Sequence, residues 1–186
     1  MNFWTSDPHH NHARICELTP RPFASVEEMG RVLIRNWNDR VGEDDTVHVV
    51  GDFAMGDRTL IPSVLAQLKG RIVLYAGNHD YRRDDHYFPR VFRGPQIVHL
   101  DGHTITVAHE PAHTHNGLTN LALCGHVHTA WREKRPGETV WAGRNGAKSF
   151  TTACRLINVG VDVWGFTPRT LEELLRGGPD GVPAHM

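Results

Sequence analysis

The sequence is short of several features that would place it in a special class. It has three cysteines, Cys16, Cys124 and Cys154, odd in number and far apart. That argues against a disulfide framework and for a reducing compartment. No apolar run approaches the roughly 18 residues that span a bilayer, so no membrane partner is expected. The opening Met-Asn-Phe-Trp-Thr-Ser-Asp reaches a charge too soon for a secretory leader, and a cytoplasmic location is expected. Net charge is nearly absent: 20 Lys and Arg against 21 Asp and Glu leave −1. The chain therefore has no global field to hold nucleic acid or an anionic surface, and only a local patch could do so. No internal repeat or low-complexity tract is visible. At 186 residues, 39% hydrophobic and 22% charged, the chain reads as one globular domain with enough length to bury a core. Residues 1–178 are assigned to that domain, and the Gly/Pro-rich end, 179–186, reads as a frayed tail.

Histidine, by contrast, is in excess. There are 14, and five fall in two tight clusters: His9, His10 and His12, then His126 and His128. Packing does not need that many imidazoles. Histidine is the commonest metal ligand and the commonest general acid or base, so composition alone points to a metal site.

Local patterns organise the first half as strand, helix, strand, helix, strand. Asn2 to Thr5 is a short apolar strand. Ser25 with Glu28 three residues on is a capping box. Val26, Met29, Leu33 and Trp37 then mark one helical face, ended by Gly42. Thr46 to Val50 is a buried strand. A second helix runs from Leu60 to Leu68, with Pro62 in its first turn. Arg71 to Tyr75 is the next strand. The second half reads as strands with little helix: Ile97–Leu100, Thr104–Ala108, Leu121–Cys124 and Leu156–Val161, then a short helix over Thr170–Arg176. Residues 129–152 read as a polar loop with a local excess of three positive charges. Parallel crossovers followed by antiparallel pairing predict a layered α/β sandwich with mixed sheets flanked by helices.

Five strands end in metal-ligand side chains. They supply Asp7 and His9, then Asp52, then Asn78 and His79, then His109, then His126 and His128. Ligands of open α/β sheets bind beyond the carboxyl ends of the strands, so these ends would converge. Asp-x-His and Gly-Asp are weak signals singly. Gly-Asn-His-Asp and Gly-His-x-His are stronger, and the whole ordered set is strong.

This string of motifs (Ser6-Asp7-Pro8-His9, Gly51-Asp52, Gly77-Asn78-His79-Asp80, His109, Gly125-His126-Val127-His128) resembles the calcineurin-like metallophosphoesterases, in particular small single-domain members of bacteria and phages. The likeness extends over Phe3–Trp37, Asn158–Asp162 and Leu171–Glu173. It implies a bacterial cytoplasm, or that of the host for a phage-encoded chain. It also implies two divalent metals: one held by Asp7, His9 and His128, the other by Asn78, His109 and His126, with Asp52 between them. An anionic bridge suits two cations about 3.5–4 Å apart. The mixed oxygen and imidazole set suits Mn²⁺ first, with Fe, Co²⁺, Ni²⁺ or Zn²⁺ as alternatives.

The resemblance further implies hydrolysis of a phosphate ester by a bridging hydroxide, with His79 as catalytic acid and charge stabiliser and Asp80 counted with it as catalytic, holding the His79 loop or ring in place. A small phosphodiester such as a cyclic nucleotide is favoured as substrate. The alternatives are a phosphomonoester, nucleic-acid ends (nucleic acid entering only as substrate) and, as a different class, a non-catalytic scaffold. His12, His113 and Arg82 are the candidate substrate contacts. Two departures stand out. His109 sits in Ala-His-Glu-Pro where the family often has Ser-His-x-Pro. Met55 occupies the second Asp position of the protein-phosphatase motif, which weakens that assignment. Cys124, Trp131, Trp141 and Trp164 are read as packing residues.

Overall fold

Phe3 and Trp4 in β1 (Asn2–Thr5) are both 1% exposed. Successive side chains leave a strand on opposite faces, so this strand must be covered on both sides. A computed structural model describes residues 1–114, 117–142 and 148–177 of the chain. The expected tail at 179–186 and His115 lie outside the described residues.

Two five-stranded mixed sheets stack face to face. The first is built on the parallel strands β1, β2 (Thr46–Val49), β3 (Arg71–Ala76) and β4 (Arg90–Arg93). The second has β5 (Gln96–Leu100) antiparallel to β6 (His103–Val107), with β7 (Leu121–Cys124) parallel to β6. The short strand β8 (Glu133–Lys134) and β11 (Arg155–Asn158) extend this second sheet. An antiparallel hairpin, β9 (Thr139–Ala142) with β10 (Lys148–Thr151), completes the second half. The first sheet is closed by β12 (Arg169–Thr170), antiparallel to β1.

Trp4, Tyr75, Ile105, Leu123 and Ile157 fill the space between the sheets. On the outer face of the first sheet, Phe3, Val47, Val49 and Leu74 meet Trp37 of α2 (Val26–Asn38) and Ile61 and Val64 of α3 (Ile61–Leu65). A four-residue helix, α1 (Ile15–Leu18), packs through Ile15 near α2, and α4 (Leu171–Arg176) buries Leu171 and Leu174 between the layers. This is the expected layered sandwich. Among the described residues, no helix is long and apolar enough to cross a membrane.

Several local expectations are corrected. The helix expected over Leu60–Leu68 is a 3₁₀ turn, Arg58–Leu60, followed by α3, which ends at Leu65. Helix α2 stops at Asn38, short of Gly42, and the Asn38 side chain there bonds Gln67 and Lys69 of the connection between α3 and β3. Its capping box is half formed: Ser25 accepts from Glu28 N–H, but the Glu28 carboxylate takes the Ala24 N–H. Residues 129–152 are not one polar loop. They contain β8 and the hairpin, and cover the outer face of the second sheet: Val140 of the hairpin and Trp131 before β8 are buried against Ala122, Cys124 and Leu156. Cys124, Trp131 and Trp164 are packed as expected, whereas Trp141 is 59% exposed.

Candidate metal centre

Every candidate ligand except His9 and His128 lies two or three residues beyond a strand. Asp7 follows β1, Asp52 follows β2, Asn78 follows β3, His109 follows β6 and His126 follows β7. The two sheets present these ends on the same side. The backbone there is unusual. Asp7 (φ 55°), His9 (φ 50°), Asp52 (φ 55°), His126 (φ 72°) and His128 (φ 47°) all adopt the left-handed region. Non-glycine residues rarely do so, and such strain concentrates at functional sites. Glycine permits the crowding around them. A Cβ on Gly125 would lie 1.9 Å from Ser6 Oγ and 2.5 Å from Asp7 Oδ2, and one on Gly77 would lie 2.3 Å from Asp52 Oδ1.

Two sets of three side chains bring their ligand atoms within 4.8 Å of one another: Asp7, His9 and His128, and Asp7, Asp52 and His109. His9 Nε2 is 3.9 Å from Asp7 Oδ1 and 3.7 Å from Asp52 Oδ2. His109 Nε2 is 3.3 Å from Asp52 Oδ2 and 4.0 Å from Asp7 Oδ1. Metal–ligand bonds of about 2.0–2.2 Å place two donors of one ion at roughly such separations. The first set reproduces the ligands expected for one metal. The second differs from the expected grouping, because Asp7 joins Asp52 and His109. Asn78 and His126 stand beside this set, with Asn78 Oδ1 3.1 Å from His126 Nδ1. The His126 N–H also donates to both Asp7 oxygens, at 3.0 and 3.2 Å.

Tautomers follow from the acceptors. His109 Nδ1 lies 2.8 Å from the Val50 carbonyl, which can only accept, so Nδ1 carries the proton and Nε2 faces the carboxylates. His128 Nδ1 lies 2.8 Å from Asp162 Oδ2, which likewise leaves Nε2 directed inward. A carboxylate or carbonyl behind a ligating imidazole is the usual support of a metal site. Both ring nitrogens of His9 are buried without a hydrogen-bond partner, and His109 Nε2 faces the Asp52 carboxylate at 3.3 Å. Buried polar atoms are otherwise almost always satisfied. A divalent cation would take one nitrogen of the His9 ring and replace the proton on His109 Nε2, so the residues fit one.

Electrostatics agree with this fit. Burial, helped by His128 and Arg21, pushes the His9 pKa down to about 2, so the ring is neutral and keeps one nitrogen lone pair free to bind an ion. Burial would raise Asp52, but the hydrogen bond and charge of His109 and the charge of His9 outweigh it and hold the carboxyl well below its usual range. Burial would lower His109, yet its hydrogen bond to Asp52 and the charges of Asp7 and Asp52 carry it up to about 10. Paired carboxylates thus hold a cation beside them, here a proton on His109.

Of these groups His9, Asp52, Asn78, His126 and His128 line a cleft of about 650 Å³, together with His12 and His79. Ile15, Leu18, Met55 and Val127 form its apolar walls, and Arg14 is at the rim. The His79 ring lies edge-on to His9, 5.8 Å away, and the His79 backbone N–H donates to Asp52 Oδ1 at 2.9 Å. Arg58 grips the His79 carbonyl, and its guanidinium reaches Asp84 at 3.4 Å.

Asp80 is expected to hold the loop or the ring of His79. Its carboxylate accepts from the backbone N–H groups of Asp52 (2.7 Å), Gly77 (2.8 Å) and Phe53 (3.1 Å), so it ties two loops together and is a positioning residue, not a group in contact with reacting atoms. His12 lines the cleft, as a substrate contact would. His113 and Arg82 are exposed and are not among the cleft-lining residues. His10 is buried against Phe53 and is structural.

Arg21, Arg58 and the supporting contact of Asp162 on His128 were not legible beforehand. The only signal was the Asn158–Asp162 stretch. Asn158 Nδ2 there bonds the carbonyls of His128 (2.8 Å) and Trp131 (2.9 Å).

No protein-family model matches the chain. An uncharacterised protein of Methanocaldococcus jannaschii is 29% identical over 174 residues, covering 92% of this chain and 87% of that one. The gene 66 protein of Mycobacterium phage L5 is 30% identical over 193 residues, covering 88% of each. A crystal structure of a protein of unknown function from Aquifex aeolicus superposes with a TM-score of 0.69 at 22% identity, over 95% of this chain and 98% of that one. The phosphoesterase YfcE of E. coli is more distant, with a TM-score of 0.42 at 16% identity over 84% of this chain and 77% of that one. The chain belongs to the family of the phage L5 gene 66 protein.

Proposed function

We propose that this chain is a metal-dependent phosphoesterase of the metallophosphoesterase type, acting on a small phosphate ester, with phosphodiesters such as cyclic nucleotides favoured. The observation that carries this reading is the convergence of ligand-type side chains beyond the strand ends: His9, Asp52, Asn78, His126 and His128 line one cleft, Asp7 and His109 lie buried beside them, and both ring nitrogens of His9 are buried without a hydrogen-bond partner. Asp7, His9 and His128 would hold one divalent ion and Asn78, His109 and His126 a second, with Asp52 between them. Oxygen and imidazole donors without a thiolate favour Mn²⁺, and admit Fe, Co²⁺, Ni²⁺ or Zn²⁺. When bound, such a pair supplies Lewis acidity toward phosphate and a water of lowered pKa as nucleophile.

The chain's own residues do the rest. His79 belongs to neither set of three, yet its ring stands half-buried in the cleft, where it would donate to the phosphate or protonate the leaving oxygen. Asp52, Arg58 and Asp80 keep the His79 loop in register, through its N–H, its carbonyl and the adjoining turn. The Ile15, Leu18, Met55 and Val127 walls suit the organic part of an ester, and His12 and Arg14 stand where they could meet its phosphate.

The test is a substrate panel with added Mn²⁺: aryl mono- and diesters, 2′,3′- and 3′,5′-cyclic nucleotides, and single-stranded DNA. The proposal expects turnover of diesters above monoesters and DNA. Absence of metal-dependent hydrolysis across the panel would overturn it.

A further inference from the structure

Arg21 lies between α1 and α2, and its side chain is wholly buried. A buried guanidinium is costly unless its donors are met by good acceptors. Here they are met with unusual focus. Nε and Nη2 donate to Asp162 Oδ1 and Oδ2, at 2.8 and 3.0 Å. Nη2 also donates to the Asp7 carbonyl at 2.7 Å, and Nη1 to the Pro8 carbonyl at 3.0 Å. The remaining contact of Asp162 is the His128 Nδ1–H, at 2.8 Å. One guanidinium therefore grips the Asp7–Pro8–His9 turn from behind and, through Asp162, fixes the His128 ring. All three candidate ligands of one metal position share this brace. Arg21 and Asp162 carry opposite charges, so the brace orients the ligands without adding net charge to repel a cation. The other candidate ligands have lighter support: His109 rests on the Val50 carbonyl, and the half-exposed His126 pairs with the exposed Asn78.

We propose that Arg21 and Asp162 are a positioning pair that preforms the Asp7–His9–His128 metal position, so that this position binds its ion more tightly and fills before the one formed with Asn78, His109 and His126. The inference rests on the metal-site reading above. Its test is Co²⁺ alone, titrated into the metal-free chain, with dialysis stoichiometry and visible absorption as readouts and no activity measured. The wild-type chain should show a tight and a weak position. His128→Ala should abolish the tight one and His126→Ala the weak one.

Asp162→Asn and Arg21→Lys should weaken the tight position by roughly 10–100-fold, the usual effect of losing a ligand's support, and leave the weak one unchanged. Combining Asp162→Asn with His128→Ala should weaken Co²⁺ no more than His128→Ala alone. A lone buried charge can unfold a chain, so Arg21→Met with Asp162→Leu removes both charges together. Thermal melting of the metal-free protein reports whether that variant folds. A folded double variant that binds two Co²⁺ with wild-type affinities would overturn the proposal, as would equal affinities at the two wild-type positions. A wild-type chain that takes up no Co²⁺ would overturn the metal-site reading itself and the inference with it.

Discussion

Gly125→Ala should damage both the fold and the metal site, and its size can be worked from the contacts. The added methyl would lie 1.9 Å from Ser6 Oγ and 2.5 Å from Asp7 Oδ2. Ordinary carbon–oxygen contacts are about 3.3–3.6 Å, so these atoms must retreat by roughly 1.5 and 1 Å. Neither has room: Ser6 and Asp7 are 0% exposed. The Asp7 carboxylate would also lose the His126 N–H that it accepts. Overpacking costs about 1–3 kcal/mol, and a hydrogen bond to a charged group contributes about 1.5–3 kcal/mol. A total of roughly 3–5 kcal/mol lowers the melting temperature of a chain this long by about 6–20 °C. Metal affinity should fall as well, because Asp7 is a candidate ligand of the Asp7–His9–His128 position.

Gly30 is the internal control. It lies in α2, and nothing stands within 4 Å of an added Cβ. Gly30→Ala should therefore stabilise the helix by about 0.5–1 kcal/mol. Melting in chelator and with Mn²⁺ reads both variants. A Gly125→Ala protein that melts with the wild type and binds metal equally well would refute the reasoning.

Three further outcomes are expected. Asp52→Asn should abolish metal-dependent hydrolysis and reduce metal content more than His126→Ala does, measured by elemental analysis; two retained ions with normal turnover would contradict the bridging assignment. His79→Ala should keep both metals while kcat falls by roughly 10²–10⁴-fold, the loss being smaller on an aryl diester than on a cyclic nucleotide, whose alkoxide leaves poorly. Equal losses on both substrates would remove the leaving-group role. Metal uptake should release protons: His109 is raised to about 10 in the metal-free chain and must lose its proton to use Nε2 as a ligand. Affinity at that position should therefore rise with pH up to about 10. The same raised pKa means that its contribution to metal-free stability is full below about pH 6.5 and is lost as pH climbs through 10. Calorimetry in buffers of different ionisation enthalpy counts the protons, and none released between pH 7 and 9 would contradict this.

The strands that carry the site were legible because each is a short apolar run that stops at a polar turn. Thr46–Val50 and Leu121–Cys124 are clear cases, and their ends place Asp52 and His126 within a residue of where they stand. The hairpin in 129–152 was not legible. Its buried side chains, such as Val140, are interleaved with charge and glycine, and burial there comes from packing on the outer face of the second sheet. The support of the site was equally hidden. Arg21 sits in a Thr-Pro-Arg-Pro-Phe run that reads as surface, and its partner Asp162 is 141 residues away. Asp80 reads as the neighbour that holds the loop or the ring of His79, and the structure adds which: its oxygens accept from three backbone N–H groups and so hold the loop.

Metal content measured together with turnover tests the central claim most directly. The protein would be stripped with chelator, reloaded with Mn²⁺, freed of excess metal by gel filtration, and assayed on an aryl phosphodiester alongside elemental analysis. The account predicts two metal ions per chain, with hydrolysis that appears on reloading and disappears on stripping. A chain that holds no divalent ion after reloading, or that holds two and hydrolyses no phosphate ester, would contradict it.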